Sequence, residues 1–218
     1  MKHIFCIFIA CLLFNSSHAQ QNVNEPSHYL FPEFKQGVIL MKDGQKNGAL
    51  LNYNALTEEM IFDKEGRKRA IAVNEVPLID TVLIGDRKFI VAEDKFVEVI
   101  HHGAWDLYVE HKCKVEEPGK PAGYGGTSQT GAATSVSSLY SQGRVVYNLK
   151  LPDGYTVKPF PIYWLKKNGD LIELKSMREI KQAYKDRKDL YKKYLKSNRV
   201  SYQDQESILQ LIEYMEAN

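Results

Sequence analysis

Between Gly37 and Leu174 the chain is built of short apolar runs cut by turn pairs, and this rhythm limits the fold more than any other feature. Gly37 to Met41 leads into Lys42-Asp43-Gly44, and Ala49 to Asn54 reads as the returning strand, since an Asp-Gly pair suits a tight turn with positive φ. Glu59 to Asp63, a turn over Lys64 to Arg67, and Lys68 to Ala72 repeat the pattern, so two hairpins in succession predict a meander. Ile79 to Ile84 and Lys88 to Ala92 flank Gly85-Asp86-Arg87, and Phe96 to Ile100 comes next. The run Leu107 to Val115 reads as one strand with Leu107, Val109, His111, Cys113 and Val115 on a single face. Val145 to Leu149 and Thr156 to Ile162 form a further strand pair around Pro152-Asp153-Gly154, and Tyr163 to Leu174 reads as a last hairpin turning at Asn168-Gly169.

Two stretches break the rhythm. Residues 116–142 mix proline and glycine with Ser, Thr and Ala and carry no sustained apolar period, which makes them an irregular loop. After residue 174 the period changes to that of helices. Ser176 with Glu179 forms a capping box for a helix over Met177 to Tyr184. A second helix runs from Asp186 or Asp189 to Lys196 with Leu190, Tyr191, Tyr194 and Leu195 on one face, and a third covers Gln205 to Met215. The expected fold is mostly β with α (α+β): an antiparallel meander forming a sheet, a sandwich or a partly open barrel, followed by a small C-terminal helical segment. The expected divisions are a signal peptide at 1–19, a flexible lead at 20–35, the β-domain at 36–174 and three short helices at 175–218.

The first residues set the compartment. Lys2 precedes the apolar run Ile4 to Phe14, and Ser17 and Ala19 suit signal-peptidase cleavage after Ala19. That run is about half the length of a bilayer span, so the mature chain is expected without a transmembrane segment, in a periplasm or secreted, with peripheral membrane association left open. Cys6 and Cys11 leave with the signal, Cys113 remains alone, and an internal disulfide is therefore impossible. Neither signal cysteine stands at the mature N-terminus, which argues against a lipid anchor there. The formal charge of +2 gives no reason to expect a nucleic-acid partner. The basic cluster from Lys181 to Arg199 is interspersed with Asp186 and Asp189 and reads as a solvated helical face.

No motif identifies a reaction or a cofactor. His101 and His102 are adjacent and point to opposite sides of a strand, while His111 and Cys113 offer only two donors where zinc needs three or four. The serines between Ser128 and Ser141 lack a nucleophile elbow, Gly123 to Thr127 lacks the ending of a phosphate loop, and Asp80, Asp86 and Asp94 are not spaced for calcium. No catalytic and no metal residues are therefore assigned. Aromatic rings are the feature most compatible with binding: Tyr29 and Phe31 precede the first strand, and Tyr155, Phe160, Tyr163 and Trp164 crowd around prolines. Core packing explains the same rings without a ligand.

The stretch Tyr29 to Phe34, with Gly37-Val38, Lys42-Asp43-Gly44, Leu51 to Asn54, Glu59 to Phe62 and Ile84 to Phe89, resembles a group of exported proteins of unknown function from Bacteroidetes-type bacteria. The ending from Ser176 through Lys196 to Val200 and Leu211 to Tyr214 resembles a tail of envelope proteins from those organisms. The resemblance implies a Gram-negative envelope setting and carries no catalytic residues. The functional expectation is a noncatalytic envelope protein acting as a protein-interaction or scaffolding module, with an envelope protein as partner. A hydrolase of an envelope polymer using His101, His102, His111 and nearby carboxylates is one alternative, and a small-ligand carrier is another.

Overall fold

The computed structural model describes residues 27–116, 118, 120–121, 127–128 and 147–218. The export-type segment at 1–19 and most of the irregular loop at 116–142 lie outside them. Turn chemistry dictates most of the strand layout. The first meander is β1 (Lys35–Met41), β2 (Lys46–Asn54), β3 (Glu59–Lys64) and β4 (Arg67–Ala70), and the second is β5 (Ile79–Ile84), β6 (Arg87–Ala92), β7 (Lys95–His101) and β8 (Asp106–Glu110). The β3–β4 turn has both central residues at positive φ, Glu65 at 55° and Gly66 at 78°, which matches the twist of the flanking strands. Glu93 at 50° and Asp94 at 59° make the same kind of turn between β6 and β7 without a glycine.

The chain returns from β4 so that β5 pairs with β1, which joins the two meanders edge to edge. β13 (Ile162–Lys167) and β14 (Asp170–Leu174) then add to β8, giving a ten-stranded antiparallel sheet in the order β14-β13-β8-β7-β6-β5-β1-β2-β3-β4. The sheet is not closed into a barrel: β14 and β4 are its two edges. Gly37 sits in β1 where there is no room for a side chain, since a Cβ there would lie 2.6 Å from the Leu83 carbonyl oxygen and 2.7 Å from Leu51 Cδ1.

The run Leu107 to Val115 is not one strand. β8 stops at Glu110, and β9 (Cys113–Glu116) leaves the large sheet to pair with β12 (Thr156–Pro159). Opposite the break, Pro159 and Pro161 flank Phe160 and have no N–H to give to a ladder. Phe160 spans the gap, donating its N–H to the Lys112 carbonyl at 2.8 Å. The expected strand from Thr156 to Ile162 is divided at the same place. Tyr147 to Leu149, expected within a strand, form a turn and bends. β10 (Lys120–Pro121) and β11 (Thr127–Ser128) form a separate two-residue pair.

The divided ribbon serves two cores on one face of the sheet. The first gathers Leu51, Tyr53, Met60, Val82, Ile84, Phe89 and Phe96 with Cys113, Val115 and Val157 from the small sheet. In the second, Leu107, Val109, Tyr163, Leu165 and Leu174 pack against helices α1 (Met177–Ala183), α2 (Lys188–Ser197) and α3 (Gln205–Ala217). Each fully buried side chain of this size stabilises by about 1.5–3 kcal/mol. The helical tail thus shares a core with β8, β13 and β14. Its start is held where the capping box is expected: Ser176 Oγ accepts the Glu179 N–H at 3.4 Å, while Glu179 Oε2 reaches back to accept the N–H of Lys175, one residue before the cap, instead of that of Ser176.

The described part of the expected flexible lead is fastened down. Leu30 donates its N–H to the Tyr53 carbonyl at 3.0 Å and Ala55 donates to the His28 carbonyl at 2.7 Å, so the segment before β1 continues alongside β2. Asn52 is fully buried and completes the irregular pairing, with Oδ1 accepting the Phe31 N–H at 3.1 Å and Nδ2 donating to the Phe31 carbonyl at 2.9 Å.

Candidate functional site

The polar groups buried between the two cores are committed to one another. Glu98 on β7 lies on the face that carries both cores and takes a two-point hydrogen bond from the Arg87 guanidinium on β6, with Nε at 2.5 Å from Oε1. His111, at the break between β8 and β9, places Nε2 at 2.6 Å from Glu98 Oε2. Burial by itself would raise the Glu98 pKa, but the hydrogen bonds and charges of Arg87 and His111 hold it below the usual range. Burial lowers the pKa of His111 against the pull of Glu98, and the Arg87 charge adds to the lowering. The same Nε2 lies 3.1 Å from Arg87 Nη2, so it sits between a carboxylate acceptor and a guanidinium donor. On the other face, the buried Glu110 carboxylate accepts from Lys95 Nζ at 2.9 Å and Lys112 Nζ at 3.2 Å, and Lys112 also reaches Glu58 at 2.8 Å. These groups fasten strands to one another rather than presenting an acid or base to a cleft.

The other histidines have separate commitments. His101 stacks on Trp105 with ring centroids 3.7 Å apart, and exposed His102 bonds through Nδ1 to Asp106 Oδ1 at 2.6 Å. Among the described residues, no three His, Cys, Asp or Glu side chains are grouped to hold a metal ion. Cys113 is a buried free thiol whose pKa is pushed up to about 12 by burial and by the charge of Glu58. No helix among the described residues is long and apolar enough to cross a membrane.

The six aromatic residues singled out in the sequence do not form one surface. Tyr29 and Phe31 are buried beside β2, Tyr29 donating its hydroxyl to the Tyr147 carbonyl at 3.2 Å. Tyr163 is fully buried in the helical core. Tyr155 packs against the edge of the first core, Phe160 lies under Lys114 at 5.2 Å, and Trp164, on the face away from the cores, points Nε1 at Glu110.

A different constellation remains unsatisfied. The register aligns Lys35, Leu51, Phe62 and Arg69 across β1 to β4, and it aligns Lys64 with Arg67 in the next row. These residues share the core-bearing face because directly opposed residues of a ladder point the same way. Lys35, Lys64, Arg67 and Arg69 are all exposed, and among the described residues none of the four has an ion-pair partner. Phe62, half-buried, forms the floor of a cleft of about 340 Å³ lined by Lys64, Glu65, Arg67 and Arg69. Lys35 approaches the Phe31 ring at 5.2 Å, and Arg87, already paired with Glu98, approaches the same ring at 5.2 Å. The opposite face of β4 is different, because Lys68 pairs with Asp63 at 4.0 Å and lies over Phe34 at 5.6 Å.

Sequence reasoning missed this face. Its signal is Arg67-Lys68-Arg69 after a Glu-Gly turn, but the near-neutral total charge conceals a local excess, and the longer basic run at Lys181 to Arg199 is the more conspicuous one. No family model, curated protein or solved structure matches the chain.

Proposed function

We propose that the chain is exported into a bacterial envelope and acts there as a noncatalytic protein-interaction or scaffolding module, with the cationic face of β3 and β4 as its working surface. The observation that carries this reading is the contrast between spent and unspent charge. The buried carboxylates and His111 are consumed by internal bonds, whereas Lys64, Arg67 and Arg69 stand without an ion pair, among the described residues, around Phe62 in a cleft whose one carboxylate is Glu65, and Lys35 stands unpaired in the same row of the sheet. Four cations on one half of a sheet repel one another, and an acidic partner relieves that repulsion. The export address rests on the N-terminal pattern and on the resemblance to envelope proteins.

The hydrolase alternative needs His101, His102 and His111 to converge, and each is instead held by its own partners. The carrier alternative needs a lined interior, and the core-bearing face is filled by Tyr53, Met60 and Phe89. Retention of the purified protein by immobilised poly-glutamate tests the binding reading. Wild type should be retained at physiological salt and a folded R67S/R69S variant should elute early. Equal retention of the two would remove this face from the account.

A further inference from the structure

We infer that the partner segment is an extended acidic peptide that joins the sheet along the free edge of β4, with carboxylates at every second position. This rests on the binding reading above and specifies its geometry. β4 ends the sheet, and among the described residues no strand pairs with its outer side. The Ile71 N–H donates to the Met60 carbonyl at 2.9 Å, so Ile71 faces β3 with its backbone groups. Hydrogen-bonded pairs alternate in an antiparallel ladder, and the register Phe62 with Arg69 and Lys64 with Arg67 therefore places these arginines in the inward-bonded set as well. Lys68 and Ala70 consequently direct N–H and C=O outward, where an added strand would take them.

The side chains fix which strand fits. Arg67 and Arg69 lie on the cationic face, so guest residues beside them must be acidic, while guest residues on the other face meet Ala70 and a Lys68 that Asp63 already accompanies. Alternation of acidic and uncharged residues is the match. Glu65 lines the same cleft at the turn and repels a carboxylate placed beyond Arg67, which limits the acidic stretch at that end. A second copy of β4 is rejected, since it would set Arg67, Lys68 and Arg69 against like charges. β14 from a second copy is also a poor match, because Asp170 and Glu173 fall on opposite faces of that strand.

The test uses the whole protein, a fluorescent peptide with alternating Glu and Val, and three comparisons: a block-permuted peptide, an N-methylated copy and poly-glutamate. Ala70→Pro removes an outward N–H without altering any charge, and proline is tolerated where an edge N–H faces solvent. A70P should weaken the alternating peptide by about tenfold or more and leave poly-glutamate retention unchanged, and N-methylation should do the same to the peptide. R67S/R69S should weaken both ligands. Equal binding of the N-methylated and parent peptides overturns strand addition while leaving the charged face in place. Equal binding of the permuted peptide overturns the alternation. Absence of binding to every acidic ligand overturns both this inference and the function on which it rests.

Discussion

Glu98→Gln removes one negative charge from the junction of the two cores while keeping nearly the same volume. Glu98 is 7% exposed at its side chain, His111 14% and Arg87 25%. Breaking a buried pair by removing one partner costs about 3–5 kcal/mol, because the other charge is left behind. Arg87 keeps part of its hydration at this exposure and can turn outward, so the expected loss is about 2–3 kcal/mol, at or below the bottom of that range. His111 loses a charged acceptor for Nε2 as well, though the amide oxygen of the substituted side chain can still take that bond. Urea unfolding followed by circular dichroism should show a lower midpoint with an unchanged slope, which marks lost stability rather than a changed unfolded state. A shift within about 0.5 kcal/mol of wild type would show that the cluster is an incidental surface arrangement and not a strut between the cores.

Acidification should act on the same cluster. Glu98 has its folded pKa below the unfolded value, so its contribution is present above the unfolded carboxylate range and is lost as pH falls through the folded pKa. His111 is also lowered when folded, so protonation favours the unfolded chain and stability declines as pH drops below the ordinary imidazole value of 6.5. Thermal midpoints from pH 8 to pH 4 should fall less steeply in H111Q than in wild type between pH 6.5 and 5, and identical profiles would remove His111 from the explanation. Gly37→Ala pushes a methyl group against the Leu83 carbonyl oxygen and should cost about 1–3 kcal/mol in the same urea assay. Ser176→Ala should lose about 1 kcal/mol by removing the cap on α1, and an unchanged midpoint would mean that packing alone holds that helix end. Cys113 should resist thiol reagents at neutral pH until the protein unfolds, and rapid labelling of the native protein would contradict its buried, raised-pKa setting.

Local signals in the chain were reliable where one physical rule governed them. The turns at Glu65-Gly66 and Asn168-Gly169, and the cap at Ser176, depend on a few neighbouring residues and appear where the sequence places them. The strand break at His111-Lys112 depends on Pro159 and Pro161 in a different part of the chain, so the unbroken alternation from Leu107 to Val115 pointed to a single strand. Asn52 and the segment before β1 show the same limit, because a polar residue in a strand announces no partner until the pairing is known. The cationic face was hidden for a related reason. Lys64, Arg67 and Arg69 are close in sequence, but that they share the core-bearing face, and that Lys35 stands in the same row, follows only from the ladder register of β1 to β4. The aromatic residues gave the opposite outcome, with prominent rings such as Tyr163 absorbed into the core.

Amide exchange of the whole protein, read residue by residue with and without the alternating acidic peptide, tests the interaction face most directly. Exchange should slow at Lys68 and Ala70, whose N–H groups point outward, and stay unchanged at Ile71, whose N–H is already bonded to Met60. Slowing at the β14 edge or over the helices instead, with Lys68 and Ala70 unaffected, would contradict the assignment of this face.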